Sequence, residues 1–159
     1  MKTKDVMTEG ARTCTPDHPL SCAAQIMWEH DCGCVPIVDH AGKAVGMITD
    51  RDICMAAYTQ GRKLDEMQVG SAMSGRLVSV QATDDLDLAE RRMRKHQVRR
   101  LPVLDEEQRV VGILSLSDIA LSAQRKAPLG GVEPEKVTGT LAAICAPPIP
   151  NAEAEAPAA

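Results

Sequence analysis

Apolar positions along the chain follow two spacings, one typical of helices and one typical of short buried strands. Residues 20–30 and 86–96 carry apolar side chains three and four positions apart, and this period predicts two helices with one buried face. Residues 35–38 and 101–104 are short apolar runs, each followed by a polar turn and a second apolar run. These runs predict two β-hairpins.

The same order of predicted elements surrounds both hairpins. Their second strands, 44–48 and 110–114, lead into helices predicted at about 50–60 and 116–125. A short strand is predicted ahead of the first helix of each half, at 12–15 and at 77–80. The fold class is therefore α/β, with two β-α-β-β-α units.

An internal repeat relates the two halves. Residues 7–57 align with residues 73–123 without a gap, and many pairs are identical. A repeat of this length indicates duplicated structural units.

The repeat also predicts the division of the chain. The first unit is expected at 3–60 and the second at 69–125, with a polar linker at 61–68 between them. Residues 126–159 form a C-terminal extension, in which a short amphipathic helix is predicted at 135–145. The remaining tail is rich in Ala, Pro and Glu, a composition that predicts disorder.

The join between each second hairpin strand and the next helix carries the motif Gly-x-x-Thr/Ser-x-x-Asp. In the first unit, Thr49 is placed to cap the helix by accepting a hydrogen bond from a first-turn N–H group. The N–H groups and the helix dipole then form a seat for an anion. Asp52 would offer two free acceptor oxygens to a pair of vicinal hydroxyls. A phosphate seat beside a diol acceptor fits a nucleotide, whereas a purely structural cap is the simpler alternative.

Composition excludes several classes of function. The net charge is −4 and the chain has one Trp, one Tyr and no Phe, so it lacks the basic surface and stacking aromatics of a general nucleic-acid binder. No apolar run approaches the roughly 20 residues of a membrane span, and no signal peptide is visible. We therefore expect a cytoplasmic protein. No catalytic triad order or P-loop motif is present, and we do not expect an enzyme.

Six cysteines suggest a second kind of chemistry. Cys14, Cys32 and Cys34, with nearby histidines, could bring thiolate and imidazole together around a metal. Their spacing matches no standard zinc motif, so the main expectation is no metal and no required cofactor. A disulfide among these three residues is the other alternative.

The duplicated motif, the apolar-Pro-apolar strands and the hairpins together resemble a tandem pair of CBS domains over about residues 3–125. The strings at 49–53, 96–102 and 143–147 are also similar to small stand-alone bacterial CBS proteins of the hypoxic-response-protein type. The resemblance implies two units packed through their sheets about a pseudo-twofold axis. It also implies two clefts that take adenosine-containing ligands such as AMP, ADP, ATP or S-adenosylmethionine.

The family pattern assigns residues of this chain to each cleft. The first cleft would use Thr49, Arg51, Asp52, Gln81, Val98 and Arg99, and Arg100 would reach either the same phosphate or the neighbouring cleft. The second would use Ser115, Ser117, Asp118, Thr15, Cys32 and Gly33. Because an arginine binds phosphate as a permanently charged, bidentate donor, the first cleft is expected to prefer phosphate.

The implied function is that of a regulatory sensor, with an adenine nucleotide as its ligand and an effector protein that the sequence does not identify. A homodimer is expected from the family and from the extensive apolar helix faces. Two alternatives remain. One is a cysteine-based redox or metal-responsive stress protein, and the other is an interaction module whose clefts are vestigial.

Overall fold

The computed structural model describes residues 1–124 and 132–147. Within these ranges no helix is both long enough and apolar enough to cross a bilayer. The tail predicted to be disordered lies almost entirely outside the described residues.

Both halves contain a helix, an antiparallel hairpin and a second helix in the same order, but their short first strands fall at different positions of the repeat. The first half contains β1 (Thr8–Glu9), α1 (Leu20–Glu29), β2 (Cys34–Val38), β3 (Ala44–Thr49) and α2 (Asp50–Gln60). The second contains β4 (Val80–Gln81), α3 (Leu86–His96), β5 (Arg100–Leu104), β6 (Val110–Ser115) and α4 (Leu116–Gln124), and α5 (Pro134–Cys145) follows it. Short 3₁₀ turns lie at Thr3–Asp5, Leu64–Glu66 and Val69–Ser71. The predicted α/β class and the repeated order of elements are confirmed.

Each half is built on an antiparallel hairpin, β2–β3 in the first and β5–β6 in the second. In the second half, β4 adds a short parallel strand, and Val80 lies opposite Val103. In the first half, the strand predicted at 12–15 is reduced to a single parallel bridge between Cys14 and Ile37.

A short segment near the start of each half pairs with the hairpin of the other half. Thr8 lies opposite Ile113, and Ser74 lies opposite Met47. These two pairs are equivalent in the repeat, so the halves are related by the expected pseudo-twofold axis. The approach is close: a Cβ added to Gly46 would lie 2.5 Å from the carbonyl oxygen of Ser74.

Aliphatic side chains fill two cores, as the near absence of aromatics requires. Leu20, Ile37 and Ile48 are fully buried in the first core, and Met93 and Leu101 in the second. Each such side chain stabilises the fold by about 1.5–3 kcal/mol relative to an exposed position. The cores place β3 and β5 side by side, so that the starts of α2 and β5 face a common cleft.

Helix α5 packs against α3 and α4. Its Thr140 hydroxyl donates a hydrogen bond of 3.2 Å to Glu90 on α3, and both residues are buried. The amide of Gln97 donates to the carbonyl oxygen of Ala146. These contacts hold Ile144 near the end of α3, where it borders the cleft.

Candidate ligand-binding cleft

The start of α2 is built around a reciprocal pair of hydrogen bonds. The hydroxyl of Thr49 accepts from the backbone N–H of Asp52 at 3.2 Å, which confirms the predicted cap. In return, one oxygen of Asp52, Oδ2, accepts from the N–H of Thr49 at 2.8 Å and from its hydroxyl at 2.7 Å. Among the described residues, no hydrogen bond reaches the other oxygen, Oδ1. The prediction that both oxygens are free was therefore wrong, because the helix cap uses one of them.

A cavity of about 470 Å³ lies between the two halves at this helix start. Its volume is in the usual range for small-molecule sites. The first half contributes Met47, Thr49, Asp50, Arg51 and Asp52, and the second half with its extension contributes Ser74, Arg76, Val78, Gln97, Val98, Arg99, Arg100 and Ile144. Five of the six residues predicted for the first cleft thus lie together, the exception being Gln81, and Arg100 lines the same cavity.

Four arginines line this cavity against two aspartates, so the cleft attracts anions. The Arg100 side chain extends towards the first half and lies close to Gly33. A Cβ added to Gly33 would be 3.1 Å from Nη2 of Arg100 and 3.3 Å from a carboxylate oxygen of Asp50. Arg51, Arg99 and Arg100 are exposed at the cleft surface. Their guanidinium groups are therefore accessible to a ligand, although the surrounding water screens their charge.

The equivalent helix start in the second half repeats the cap but differs in its free oxygen. Ser115 binds Oδ2 of Asp118 through its N–H at 2.8 Å and its hydroxyl at 2.6 Å. The hydroxyl of Thr8 donates to Oδ1 at 3.3 Å. Oδ1 of Asp118 thus has a weak hydrogen-bond partner, whereas Oδ1 of Asp52 has none among the described residues.

The other residues assigned to the second cleft carry no charge themselves, although the guanidinium of Arg100 lies beside Gly33. Cys32, Gly33 and Cys34 occupy the positions of Val98, Arg99 and Arg100. Burial raises the pKa of the Cys34 thiol to about 11, although the Arg100 guanidinium lowers it, so this thiol is uncharged near neutral pH. Ser117, exposed in the first turn of α4, stands where the first half has Arg51.

The structure does not bring Gln81 or Thr15 to either cleft. Gln81 lies opposite Leu104, at the far end of β5 from Arg100. Four residues of strand separate the two ends, roughly 13 Å, and the Gln81 side chain instead hydrogen-bonds at the hairpin turn of residues 104–108. Thr15 is in the equivalent place, because Cys14 pairs with Ile37 in the same parallel sense.

The suggested metal set of Cys14, Cys32 and Cys34 is also not assembled. Cys14 pairs with Ile37, three residues along β2 from Cys34, which separates the two by roughly 10 Å. The thiol of Cys32 points to the carbonyl oxygen of Ile26 at 3.9 Å. Cys14 instead contacts Cys22, with 3.7 Å between the two sulfur atoms.

Sequence reasoning missed several lining residues, Arg76 and Val78 foremost. Both precede β4, which runs parallel to β5, so Arg76 lies level with Arg99 and Val78 with Leu101. No local turn sets that register, and only a short strand placed later, at residue 80, would have shown it. Ile144 could not have been found in this way, since it belongs to α5, outside the repeat.

Two other cavities are less suited to an anion. One of about 330 Å³ lies between the start of α3 and α5 and is lined by Asp85, Asp87 and Glu90 among others. Another of about 520 Å³ beside the linker includes Asp17, Asp65 and Glu66 among its lining residues. Carboxylates outnumber the cationic side chains in both. A further cavity of about 310 Å³, lined by Arg76, Arg92 and His96 among others, is basic but lies beside the last turns of α3 and includes no helix start.

Comparison with known proteins places the repeat in a family. The family model of the CBS domain matches residues 4–58 and again residues 69–124. The CBS domain-containing protein YhcV of Bacillus subtilis is 39% identical over 119 residues, which is 75% of this chain and 83% of YhcV. Hypoxic response protein 1 of Mycobacterium tuberculosis is 37% identical over 118 residues, 74% of this chain and 81% of that protein.

Solved structures agree with these matches. A crystal structure of Hypoxic Response Protein I with two coordinated zinc ions superposes with a TM-score of 0.70 at 34% identity, covering 80% of this chain and all of that one. The CBS domain pair of MJ0100, solved with 5′-methylthioadenosine and S-adenosyl-L-methionine, gives 0.67 at 29% identity, covering 76% and 94%. The resemblance drawn from the sequence is thereby confirmed. The chain belongs to the CBS domain family, and its two halves form a CBS domain pair.

Proposed function

We propose that the protein is a non-catalytic regulatory module that binds an adenosine-containing ligand with at least one phosphate in the cleft between its two CBS units. The observation that carries this proposal is the convergence of Arg99 and Arg100 from the second unit on the Thr49–Asp52 helix start of the first. Neither feature alone would hold a phosphate well. Together they offer backbone N–H groups and charge-assisted donors to the same anion.

The ribose would bind at Asp52. Its free oxygen, Oδ1, can accept from a ribose hydroxyl while Oδ2 keeps the helix capped. The apolar part of the cavity, which includes Met47, Val78 and Ile144, would face the base. MJ0100, a CBS pair at 29% identity, was solved with two adenosine compounds, and this supports the adenosine class for the present chain.

The second cleft would hold a less charged ligand or none. It keeps the Ser115–Asp118 cap, but Gly33 and Cys34 stand where the first cleft has arginines. Adenosine itself, or an uncharged derivative, fits this chemistry better than a nucleotide.

We further propose that two copies associate through their helical faces. Met55 and Leu121 are equivalent in the repeat and are 47% and 54% exposed. Trp28 and Tyr58 are 89% and 82% exposed. Large apolar side chains at this exposure on α1, α2 and α4 are typical of an interface.

The proposal also includes the domain division into 3–60, 69–125 and a C-terminal extension. It further includes a cytoplasmic location, in which the protein acts on a separate effector.

A second candidate function is a metal- or redox-responsive stress protein. It is favoured by the assembly of Cys14, His18 and Cys22 into one group and by the zinc ions of Hypoxic Response Protein I, a structure at 34% identity. An interaction module with vestigial clefts is the remaining alternative. Melting shifts of the reduced protein with AMP, ATP, adenosine, S-adenosylmethionine and Zn²⁺ would separate the three: adenine compounds stabilise a sensor, zinc stabilises a metal protein, and neither stabilises a vestigial module.

A further inference from the structure

Three metal-ligating side chains meet beside the first turn of α1. The sulfur atoms of Cys14 and Cys22 are 3.7 Å apart, and Nδ1 of His18 lies 3.9 Å from the sulfur of Cys22. All three ligand atoms lie within 4.8 Å of one another. No motif known for zinc matches the spacing Cys-x-x-x-His-x-x-x-Cys, which is why the sequence alone did not select this group.

These separations approach those of a tetrahedral metal centre. With Zn–S bonds of about 2.3 Å and Zn–N bonds of about 2.0–2.1 Å, tetrahedral angles place two sulfurs about 3.8 Å apart and a sulfur and a nitrogen about 3.6 Å apart. The Cys14–Cys22 distance already fits. His18 is exposed, so its side chain can move the short distance that closes the third contact.

Backbone hydrogen bonds that involve no metal hold the residues in place. Cys14 is fixed by its N–H, which donates to Pro36, and by its carbonyl oxygen, which accepts from Val38 at 2.8 Å. The carbonyl oxygen of His18 accepts from Val69 at 2.8 Å. Cys14 and His18 therefore stand on a preformed loop between the hairpin and the 3₁₀ turn that begins the second half, and Cys22 stands in the first turn of α1. This backbone is in place without a metal.

The Nδ1 atom of His18 is in contact with the Cys22 thiol. Its hydrogen bond with the N–H of Thr15 is long, at 3.3 Å. A metal ion that binds Nδ1 replaces only this weak, exposed hydrogen bond.

We propose that Cys14, His18 and Cys22 form a site for a divalent metal ion of the zinc class, bound through two thiolates and one neutral imidazole. Binding releases the two thiol protons to solvent, and the two thiolates neutralise the charge of the ion. The fourth position faces the exposed side of the cluster and takes water or an exogenous ligand, as in zinc sites with an open position. No electron transfer is involved.

This site deepens the second candidate function and is separate from the nucleotide cleft, with which it shares no residue. The two can therefore fail independently. Adenine-ligand binding measured on the same variants tells which of them has failed.

The test is a Co²⁺ titration of the full-length, reduced protein without oxygen. Tetrahedral Co²⁺ absorbs strongly in the visible region, and a thiolate ligand adds a charge-transfer band in the near ultraviolet. Cys22→Ser and His18→Ala are the informative variants, because Cys22 is half-buried and His18 is exposed, so neither should unfold the chain. Cys54→Ser and His30→Ala are matched controls, since both residues are exposed and stand outside the cluster.

We expect one Co²⁺ per chain with both spectral features, displaced by Zn²⁺. Each of the two cluster variants should weaken binding at least about 100-fold, the upper end of the cost of losing an outer-shell partner, while both controls bind as the wild type. A spectrum without the thiolate band, or unchanged binding in Cys22→Ser, would overturn the proposal. So would a Cys14–Cys22 disulfide that persists under reductant with no Co²⁺ bound.

Discussion

The two carboxylate oxygens of Asp52 differ in their partners: Oδ2 accepts two hydrogen bonds from Thr49, at 2.8 and 2.7 Å, whereas Oδ1 has no hydrogen-bond partner among the described residues. A substitution at this position therefore removes both a helix cap and a candidate ligand contact. Two variants, one that keeps the cap and one that removes it, separate the two effects.

Asp52→Asn and Asp52→Ala make that separation. Asn keeps a carbonyl oxygen for the cap and loses the charge, whereas Ala loses both and should cost about 1 kcal/mol of stability more through the missing cap. Both should weaken AMP by about ten- to a hundredfold, because a hydrogen bond to a charged acceptor contributes about 1.5–3 kcal/mol. Calorimetry gives the affinity and urea unfolding gives the stability. If Asp52→Asn binds AMP as the wild type does, Asp52 is a structural cap only.

Replacing Arg99 and Arg100 together by Ala should discriminate between ligands. AMP should weaken by about tenfold or more, since charge-assisted hydrogen bonds to phosphate are lost, while adenosine binding is unchanged. The salt dependence of AMP binding should fall as well, because exposed charges are screened. Lys136→Ala, which removes an exposed cation paired with Asp87 on α3, is the control. An equal loss for AMP and adenosine would mean that the two arginines support the fold instead of the phosphate.

Self-association should depend on Met55 and Leu121. Their equivalent positions on α2 and α4 predict that Met55→Asp with Leu121→Asp introduces like charges into an apolar contact and gives a monomer. Sedimentation at micromolar concentration measures this, and Thr83→Asp, on an exposed turn, is the control. A wild type that is monomeric under these conditions would contradict the proposed interface.

The close approach of the halves should make Gly46 intolerant of a side chain. Its Cβ would lie 2.5 Å from the carbonyl oxygen of Ser74, whereas a Cβ on Gly75 would meet nothing within 4 Å. Gly46→Ala should therefore cost about 1–3 kcal/mol of stability, as overpacking does, and Gly75→Ala should be neutral. Thermal unfolding of the two variants checks this. Equal stabilities would mean that Ser74 yields freely and that the two halves are not tightly joined at this point.

Elements with strong periodicity could be predicted from the sequence almost residue by residue. Helix α3 was predicted at 86–96 and spans Leu86–His96, because its apolar stripe and charged outer face leave one way to bury it. The ungapped repeat then transferred each assignment from one half to the other. The convergence of Arg99 and Arg100 on Thr49 followed from the family resemblance, not from spacing.

What the sequence could not supply depends on contacts between distant segments. The register of β4 against β5 moved Gln81 away from the cleft and placed Arg76 in it, and a parallel pairing is not set by any local turn. The meeting of Cys14 with Cys22 likewise required the bridge to Ile37 that fixes Cys14. The cap at Asp52 was visible in the motif, but its use of one carboxylate oxygen was not.

The proposed function requires that an adenine nucleotide binds between the two CBS units with its ribose at Asp52. Calorimetry of AMP with the wild type and with Asp52→Asn combined with Asp118→Asn tests it most directly, because these changes keep the helix caps and the fold. The account predicts saturable binding by the wild type and a loss of about tenfold or more in the double variant. No binding of AMP by the wild type, or equal binding by both proteins, would contradict it.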